Sequence, residues 1–319
     1  MSAQLLNQWG AQRKPFFFVI DFDLKDIEII SFDALKDIYF EMEGFSPQKP
    51  PILSNTTLNL TIKKAISFED YQHAFSQVQT EIYNGNTYLL NLTFPTEITL
   101  NANLLDSYAQ SHAPFKLFFR NQFICFSPER FIKIENNCIK TYPMKGTIDA
   151  SLENAAHLLL NDPKEFAEHT MVVDLLRNDL SMVSKNVKVT RFRFLDRINA
   201  GSKQLLQMSS EIIGDLENNW HCKIGDILFK LLPAGSISGT PKIKTLEIIK
   251  KVEHYPRGFF TGIFGYFNGN RLDSAVSIRF IEQQNGRFFY KSGGGITIDS
   301  NIENEYKELL QKVYLPCNY

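Results

Sequence analysis

Strand-like segments follow one another along much of this chain without the regular alternation of strand and helix that builds parallel sheets. Apolar and β-branched runs occupy residues 87–100, 116–120, 122–128, 131–143, 259–269, 272–283 and 286–299. Helical patterns occur at 68–85, 162–183, 224–232, 240–254 and 300–314. Strands joined by short turns pair antiparallel, whereas parallel strands need a long crossover connection. The order therefore excludes a Rossmann fold and predicts a large α+β protein rich in antiparallel sheet.

Composition excludes several classes of protein. With 319 residues and 44% hydrophobic content, the chain can bury one large core or two ordinary ones. Its 34 basic and 35 acidic residues give a net charge of −1, so no overall basic field would gather nucleic acid or an anionic membrane. We expect neither as a partner.

Cysteine usage and the N-terminus indicate a cytoplasmic protein. Four cysteines without CxxC spacing, Cys125, Cys138, Cys222 and Cys317, are too few for a disulfide scaffold of this size. The first residues lack the order of a signal peptide, and the apolar run FFFVI is too short to span a bilayer. We interpret FFFVI as a buried strand and residues 44–57 as a surface loop.

Two acidic helix faces carry the same spacing more than a hundred residues apart. Glu165 and Glu168 form one Glu-x-x-Glu pair, and Glu305 and Glu308 form the other. Residues at i and i+3 are neighbours on a helix, so two such faces brought together would supply oxygen ligands for a hard cation such as Mg²⁺. The alternative is a pair of solvated helix faces, and Glu165 is also placed to cap backbone N–H groups.

Helix starts and glycine-rich segments mark further local structure. Asp162-Pro163, Thr240-Pro241 and the capping box Ser300-x-x-Glu303 each predict a helix N-terminus. Gly293, Gly294 and Gly295 lie between a strand and a helix, where their amides could approach an anion or could form a bulge. The segment PAGSISGTPK at 233–242 lacks the spacing of a phosphate-binding loop.

Seven motifs in order give a more specific signal. They are SPERF (127–131), YPMKGT (142–147), EHTMVVDLLRNDL (168–180), PAGSISGTPK (233–242), GIFGYF (262–267), SIRF (277–280) and GGGITIDSNIENEYKE (293–308). Together they resemble the chorismate-utilising enzymes over residues 60–315. The resemblance implies one catalytic domain with two large antiparallel sheets flanked by helices. Residues 1–59 would be a shortened N-terminal lobe of that domain, and residues 60–319 the chorismate-binding core.

The resemblance also implies roles for named residues. Glu129 would be the general acid, and Lys145, a position where anthranilate synthases usually carry a small residue, is the mark of aminodeoxychorismate synthases. Mg²⁺ would be held by Glu165, Glu168, Glu305 and Glu308. Arg279 and the amides of Gly293, Gly294 and Gly295 would hold substrate carboxylates, and Lys242 and Tyr266 match substrate-contacting positions more loosely. Two alternatives stay open: Lys145 acting only as a charge, and Glu129 pairing with Arg130.

The implied reaction is amination of chorismate at C4, which leads to 4-aminobenzoate and folate. No residues match a glutaminase, so the ammonia would come from solution or from a separate glutamine amidotransferase subunit. Two positions depart from the family: Leu89 replaces the Gln of YQxN, and Gln207 replaces the His of HLxS. The lost His disfavours pyruvate elimination. Anthranilate, isochorismate or salicylate synthase, and a degenerate subunit that binds substrate without turnover, are the alternative functions.

Overall fold

Two antiparallel sheets occupy the centre of the protein. The structure, a computed structural model, describes residues 1–51, 57–200 and 203–317. Its helices are α1 (Ser2–Ala11), α2 (Phe68–Tyr83), α3 (Leu104–Gln110), α4 (Ala155–Asn161), α5 (Pro163–Ser181), α6 (Ile224–Leu231), α7 (Gly235–Ser238), α8 (Lys242–Val252) and α9 (Ile302–Gln311).

The described residues form 17 strands, which are numbered β1 to β17 in chain order. They are β1 (Phe16–Ile20), β2 (Ile27–Ser31), β3 (Ile38–Met42), β4 (Leu60–Lys64), β5 (Leu89–Leu100), β6 (Phe115–Phe119), β7 (Phe123–Ser127), β8 (Arg130–Glu135), β9 (Cys138–Thr141), β10 (Met144–Asp149), β11 (Lys185–Ala200), β12 (Lys203–Asp215), β13 (Gly239–Thr240), β14 (Ile263–Phe267), β15 (Leu272–Val276), β16 (Phe280–Gln284) and β17 (Arg287–Ile296).

Every strand pair is antiparallel among the described residues. The first sheet has the order β10-β12-β9-β8-β15-β14-β1-β2, with β11 paired to β12. The second has the order β13-β5-β17-β16-β7-β6-β3, with β4 paired to β5. The α+β prediction with two antiparallel sheets and flanking helices is confirmed.

The N-terminal strands enter both sheets. Strand β1 lies between β14 and β2, and its five residues are all buried because each face packs on a different hydrophobic cluster. Phe16 and Phe18 contribute to one cluster, and Phe17 and Val19 to the other. Strand β3 pairs with β6 at the edge of the second sheet. The segment before residue 60 is thus built into the same two sheets as the rest. Of the predicted loop 44–57, residues 52–56 lie outside the described residues, as do 318–319.

Helix boundaries correct two of the three predicted caps. Asp162 caps α5 by accepting a hydrogen bond from the N–H of Glu165, as expected. Thr240 instead lies in β13, and α8 begins at Lys242 after Pro241. Asn301 caps α9, because the hydroxyl of Ser300 is turned to the carboxylate of Glu305.

The long hairpin of β11 and β12 was not predicted from the sequence. Its sequence does alternate, with Val187, Val189, Phe192 and Phe194 set between polar residues of β11, and this was the signal that could have predicted the hairpin. The described side chains of β11 are half-buried or exposed, whereas β12 buries Leu206, Met208 and Ile212. All four cysteines are free. Within the described residues, no helix is long and apolar enough to cross a bilayer.

Candidate active site

A cavity of about 250 Å³ lies where the two sheets meet. Strands β10 and β12 of the first sheet and β5 and β17 of the second contribute to its wall, together with α5, α7 and α9. It brings together most of the predicted site, namely Glu129, Lys145, Arg279, Gly293, Gly294, Gly295 and Glu308.

Glu129 sits on the turn between β7 and β8. Its backbone N–H donates to the Ser127 hydroxyl at 3.1 Å, and its carbonyl accepts from that hydroxyl at 3.2 Å and from the Val276 N–H at 3.1 Å. The hydroxyl of Ser236 donates to Oε1 of its carboxyl group. Burial raises the pKa of Glu129, and the Ser236 bond and the charge of Lys145 only partly oppose this. A carboxyl group with a raised pKa is suited to donate a proton near neutrality.

The alternative pairing of Glu129 with Arg130 does not occur. Arg130 donates from Nε to Oδ1 of Asp273 at 2.8 Å, and its Nη2 lies 2.5 Å from a carboxylate oxygen of Glu43. Two carboxylates therefore already neutralise the guanidinium, and the carboxyl group of Glu129 stays directed to the cavity.

Lys145 extends into the cavity from a bulge in β10. The register with β12 shifts between Met144 and Thr147, and Gly146 within that bulge has φ of +82°. A left-handed backbone of this kind favours glycine. The bulge directs the Lys145 amine toward α5, where Nζ lies 3.6 Å from an oxygen of Glu168.

The two acidic pairs come from α5 and α9. Burial first, and then the charge of Glu168, raise the pKa of Glu165; burial likewise raises that of Glu305, with the charges of Glu308 and Glu168 adding to it. Burial alone would raise the pKa of Glu308, but the Lys312 ammonium at 2.6 Å outweighs it and the pKa is lowered. The two helices therefore bring their carboxylates close enough for the negative charges to affect one another's pKa.

No ready-made ion site exists among the described acidic, histidine and cysteine side chains, since no three of them are arranged to hold one metal ion. Lysines occupy the carboxylates instead: Lys164 lies 3.7 Å from Glu168, and Lys145 and Lys312 engage Glu168 and Glu308. The donor set is nevertheless all oxygen, which suits Mg²⁺. A divalent cation would relieve the charge repulsion that adds to the effect of burial on the pKa values of Glu165 and Glu305.

The three glycines lie in strand β17, neither in a loop nor at a bulge. They pair in register with β5, Gly293 opposite Thr93 and Gly295 opposite Asn91. Strand β16 pairs with β17 only as far as Lys291, so the other edge of the glycine segment faces the cavity. The Gly293 carbonyl accepts a hydrogen bond from the Lys312 amine at 2.8 Å, and backbone N–H groups on the open edge are available to an anion.

Glycine at these positions also leaves room for the reactive side chains. A Cβ at Gly295 would lie 3.3 Å from the Lys145 amine, and one at Gly294 would lie 3.3 Å from an oxygen of Glu305. The strand therefore allows the amine and the carboxylates to approach the backbone closely.

Arg279 is held in an uncommon backbone conformation at the cavity wall. Its φ is +53°, in the left-handed region that a long side chain rarely adopts. The guanidinium lies over the ring of Tyr314 at 5.1 Å, and Nη1 approaches the carbonyl of Lys312 at 3.4 Å. Because Arg279 lines the cavity, its guanidinium is within reach of a ligand carboxylate there.

Lys242 and Tyr266 lie outside the cavity. The Lys242 amine pairs with Asp179 at 2.8 Å and donates to the Leu231 carbonyl, so it fastens α8 to α5. Tyr266 is 1% exposed and stacks on Phe45 with ring centres 4.3 Å apart. Both side chains stabilise the surroundings of the cavity.

Several cavity residues were missed from the sequence. Ser236, Lys291 and Lys312 line the cavity, and their partners Glu129, Glu282 and Glu308 are ionisable groups. The spacing of Glu308 and Lys312, four residues apart on a helix, was the one local signal that could have revealed such a pair.

The two departures from the family pattern also lie in the cavity wall. Leu89 presents an apolar side chain whose Cδ1 would be 3.0 Å from a Cβ at Gly295. Gln207 has a buried Oε1 with no hydrogen-bond partner. A buried polar atom without a partner is costly, so a ligand group is the expected partner of Oε1.

Known proteins resemble this chain in overall sequence and in fold. The family model described as chorismate binding enzyme matches residues 23–317. A Haemophilus influenzae protein named "Uncharacterized PabA-like protein" is 51% identical over 317 residues, which are 97% of this chain and 94% of that protein. Aminodeoxychorismate synthase component 1 of Escherichia coli is 32% identical over 313 residues, which are 92% of this chain and 66% of that protein.

Solved structures confirm the fold class. Anthranilate synthase component I from Streptococcus pneumoniae superposes with a TM-score of 0.70 and 27% identity, covering 82% of this chain and 60% of that one. The menaquinone-specific isochorismate synthase of Escherichia coli superposes with a TM-score of 0.77 and 18% identity, covering 98% of this chain and 80% of that one. The second likeness concerns the fold alone.

Proposed function

Because this chain belongs to the family of chorismate binding enzymes, we propose that it aminates chorismate at C4 to form 4-amino-4-deoxychorismate. The observation that carries the proposal is the placement of Lys145 and Glu129 in one cavity. Relatives named aminodeoxychorismate synthase component 1, at 30–32% identity, support the choice among the reactions of the family.

The proposed reaction has two displacement steps. In the first, the unprotonated Lys145 amine bonds to C2 of chorismate, the two ring double bonds shift from C1–C2 and C5–C6 to C1–C6 and C4–C5, and the C4 hydroxyl leaves as water with a proton from Glu129. In the second, ammonia bonds to C4, both double bonds return to their first positions, and the C2–N bond to Lys145 breaks, with its electron pair going to the Lys145 nitrogen. The new ammonium group returns a proton to Glu129, so chorismate and ammonia give aminodeoxychorismate and water. Covalent catalysis of this kind divides one difficult displacement into two easier ones.

The carboxylates of α5 and α9 would hold Mg²⁺ in this proposal. Glu168 and Glu308 would be direct ligands, with Glu165 and Glu305 direct or through water. When bound, the ion supplies positive charge that neutralises the ring carboxylate of chorismate. Lys145 and Lys312 engage the same carboxylates. They would be released as the ion and the substrate bind, which frees the Lys145 amine for reaction.

The product would keep its enolpyruvyl group. Arg279 and the open edge of Gly293, Gly294 and Gly295 provide donors for substrate carboxylates. Gln207 stands where many relatives have a histidine, and an amide cannot accept or deliver a proton near neutrality. This supports amination without pyruvate elimination, the step that would lead to anthranilate.

Ammonia would reach the enzyme from solution or from a separate glutamine amidotransferase subunit. None of the four cysteines lies in the cavity wall, and two of them are buried. We therefore expect activity with ammonium salts alone, and a second protein when glutamine is the nitrogen source.

The decisive experiment is incubation with chorismate, Mg²⁺ and ammonium, followed by identification of the product by mass. We expect aminodeoxychorismate, with most amination lost in Lys145→Ala. Lys145→Arg should not restore activity, because a guanidinium keeps its charge but is a poor nucleophile. Full activity of Lys145→Arg would reduce the role of Lys145 to its charge. Anthranilate with released pyruvate as the main product would refute the assignment.

A further inference from the structure

We propose that Ser236 is a positioning residue for Glu129, which holds one carboxyl oxygen so that the other carries the proton to the leaving hydroxyl. This inference rests on the proposed function of Glu129 as general acid. It concerns a residue that the resemblance to the family did not single out, in a motif whose role the sequence left open.

The geometry separates the two oxygens of the Glu129 carboxyl group. Ser236 donates its hydroxyl hydrogen to Oε1, which therefore acts as an acceptor and cannot carry the proton along that bond. The acidic proton is then left to Oε2. Since both residues line the cavity, the protonated oxygen is available to a bound substrate.

Hydrogen bonds to the neighbouring backbone fix the position of Ser236. The next residue, Ile237, has a carbonyl that accepts two bonds at 3.1 Å, one from the Asn91 side chain and one from Nη1 of Arg257. Arg257 is 2% exposed in its side chain and pairs with Glu253 at 2.7 Å. A buried ion pair thus fixes α7, and α7 fixes the hydroxyl against the carboxyl group.

The hydrogen bond has a chemical consequence during proton transfer. When Oε2 gives its proton to the departing oxygen, negative charge develops over both oxygens of Glu129. A hydrogen bond to a charged acceptor is stronger than one to a neutral acceptor. Ser236 therefore favours the carboxylate that the step produces, and it limits the rise in the pKa of Glu129 that burial causes.

The test is Ser236→Ala, with Ser238→Ala as the matched control. Both serines belong to α7, but the Ser238 hydroxyl donates to the carbonyl of Ala234 and lies outside the cavity wall. We expect Ser236→Ala to lower kcat by about 10- to 100-fold, the range of one lost hydrogen bond to a charged group. Ser238→Ala should keep kcat within about threefold of the unaltered protein. Its melting temperature should be no higher than that of Ser236→Ala, so a loss of stability alone would not explain the lower kcat of Ser236→Ala.

The pH profile distinguishes positioning from a merely structural role. Glu129 must be protonated to act, so it sets the alkaline limb of kcat, and loss of Ser236 should move that limb upward by about one pH unit. The other charged groups at the cavity, Lys145, Arg279, Lys291, Glu308 and Lys312, are the same in both proteins. In a protein that already carries Glu129→Gln, adding Ser236→Ala should lower kcat little further. An unmoved limb, or a full additional loss in that background, would overturn the proposal.

A direct titration keeps this inference separate from the proposed function. The carboxyl group of Glu129 can be followed by ¹³C NMR in glutamate-labelled protein, with its signal assigned from Glu129→Gln. A higher titration midpoint in Ser236→Ala than in the unaltered protein would support the Ser236 contact even if no aminated product forms, in which case only the proposed function fails. Equal midpoints would refute the contact whatever the product.

Discussion

The glycines of β17 allow a sharp test of how the reactive amine is placed. Neither Gly293 nor Gly295 has a positive φ, so the space around a new methyl group decides the effect of alanine. At Gly295, a Cβ would lie 3.3 Å from the Lys145 amine and 3.0 Å from Cδ1 of Leu89. Both contacts are the far ends of side chains. They can move by a few tenths of an ångström without disturbing the backbone.

At Gly293 the obstacle is the backbone itself. A Cβ there would lie 2.3 Å from the carbonyl oxygen of Leu92 in the paired strand β5. Relief of that overlap requires the two strands to separate locally. We expect Gly293→Ala to cost more than about 3 kcal/mol of folding free energy, at or beyond the upper end of typical overpacking. Gly295→Ala should change it by less than about 1.5 kcal/mol, because reduced freedom of the unfolded chain offsets part of the crowding.

Gly295→Ala, the variant with the smaller effect on stability, should nevertheless lose activity. A displaced Lys145 amine no longer meets C2 of the substrate at reacting distance, and small misplacements cost up to about 100-fold in rate. We therefore expect Gly295→Ala to lose about 10- to 100-fold in kcat while it unfolds near the normal denaturant concentration. Urea unfolding and steady-state amination on the same preparations measure both quantities. If Gly295→Ala keeps full kcat, or Gly293→Ala unfolds like the unaltered protein, the reasoning from these contacts is wrong.

Three further outcomes are expected. Glu168→Gln and Glu308→Gln should each abolish Mg²⁺-dependent turnover while leaving the fold intact, and full activity in a chelator would contradict the proposed ion site. Folding raises the pKa of Glu129, so the stability it contributes is complete below the unfolded value of about 4.3 and is lost as pH rises through the folded value. Glu129→Gln should therefore melt above the unaltered protein at neutral pH, and parallel melting curves across pH would exclude this. Arg257→Met should cost about 3–5 kcal/mol, because it leaves the buried Glu253 unpaired. Adding Glu253→Met should recover most of that loss, and a double variant less stable than the single one in urea would argue against it.

Local sequence patterns identified those parts of the site whose residues lie close together on one helix or one strand. The Glu-x-x-Glu pairs lie on α5 and α9 as expected, since helical spacing alone places such residues on one face. The apolar run of β1 predicted its burial correctly, because a short continuous run of apolar residues is typical of a strand that is buried on both faces. Glu129 and Lys145 came from ordered motifs, and the structure places both at the cavity.

Long-range contacts account for most of what the sequence did not reveal. Ser236 meets Glu129 across 107 residues of chain, and no spacing rule connects them. Thr240 and Ser300 have the composition of helix caps, but tertiary contacts placed Thr240 in a strand and turned Ser300 to Glu305. Tyr266 followed a family pattern, yet the aromatic cluster around Phe45 encloses its ring.

The position of β1 has a consequence for how the protein folds during synthesis. Phe16 pairs with Phe267, 267 − 16 = 251 positions later in the chain. The first strand to leave the ribosome thus lacks one of its two neighbours until most of the polypeptide has been made. At about 5–20 residues per second, its apolar side chains wait on the order of ten seconds or longer for that partner. Pairings of such high contact order slow folding and prolong the time in which apolar strands of the nascent first sheet are exposed to aggregation.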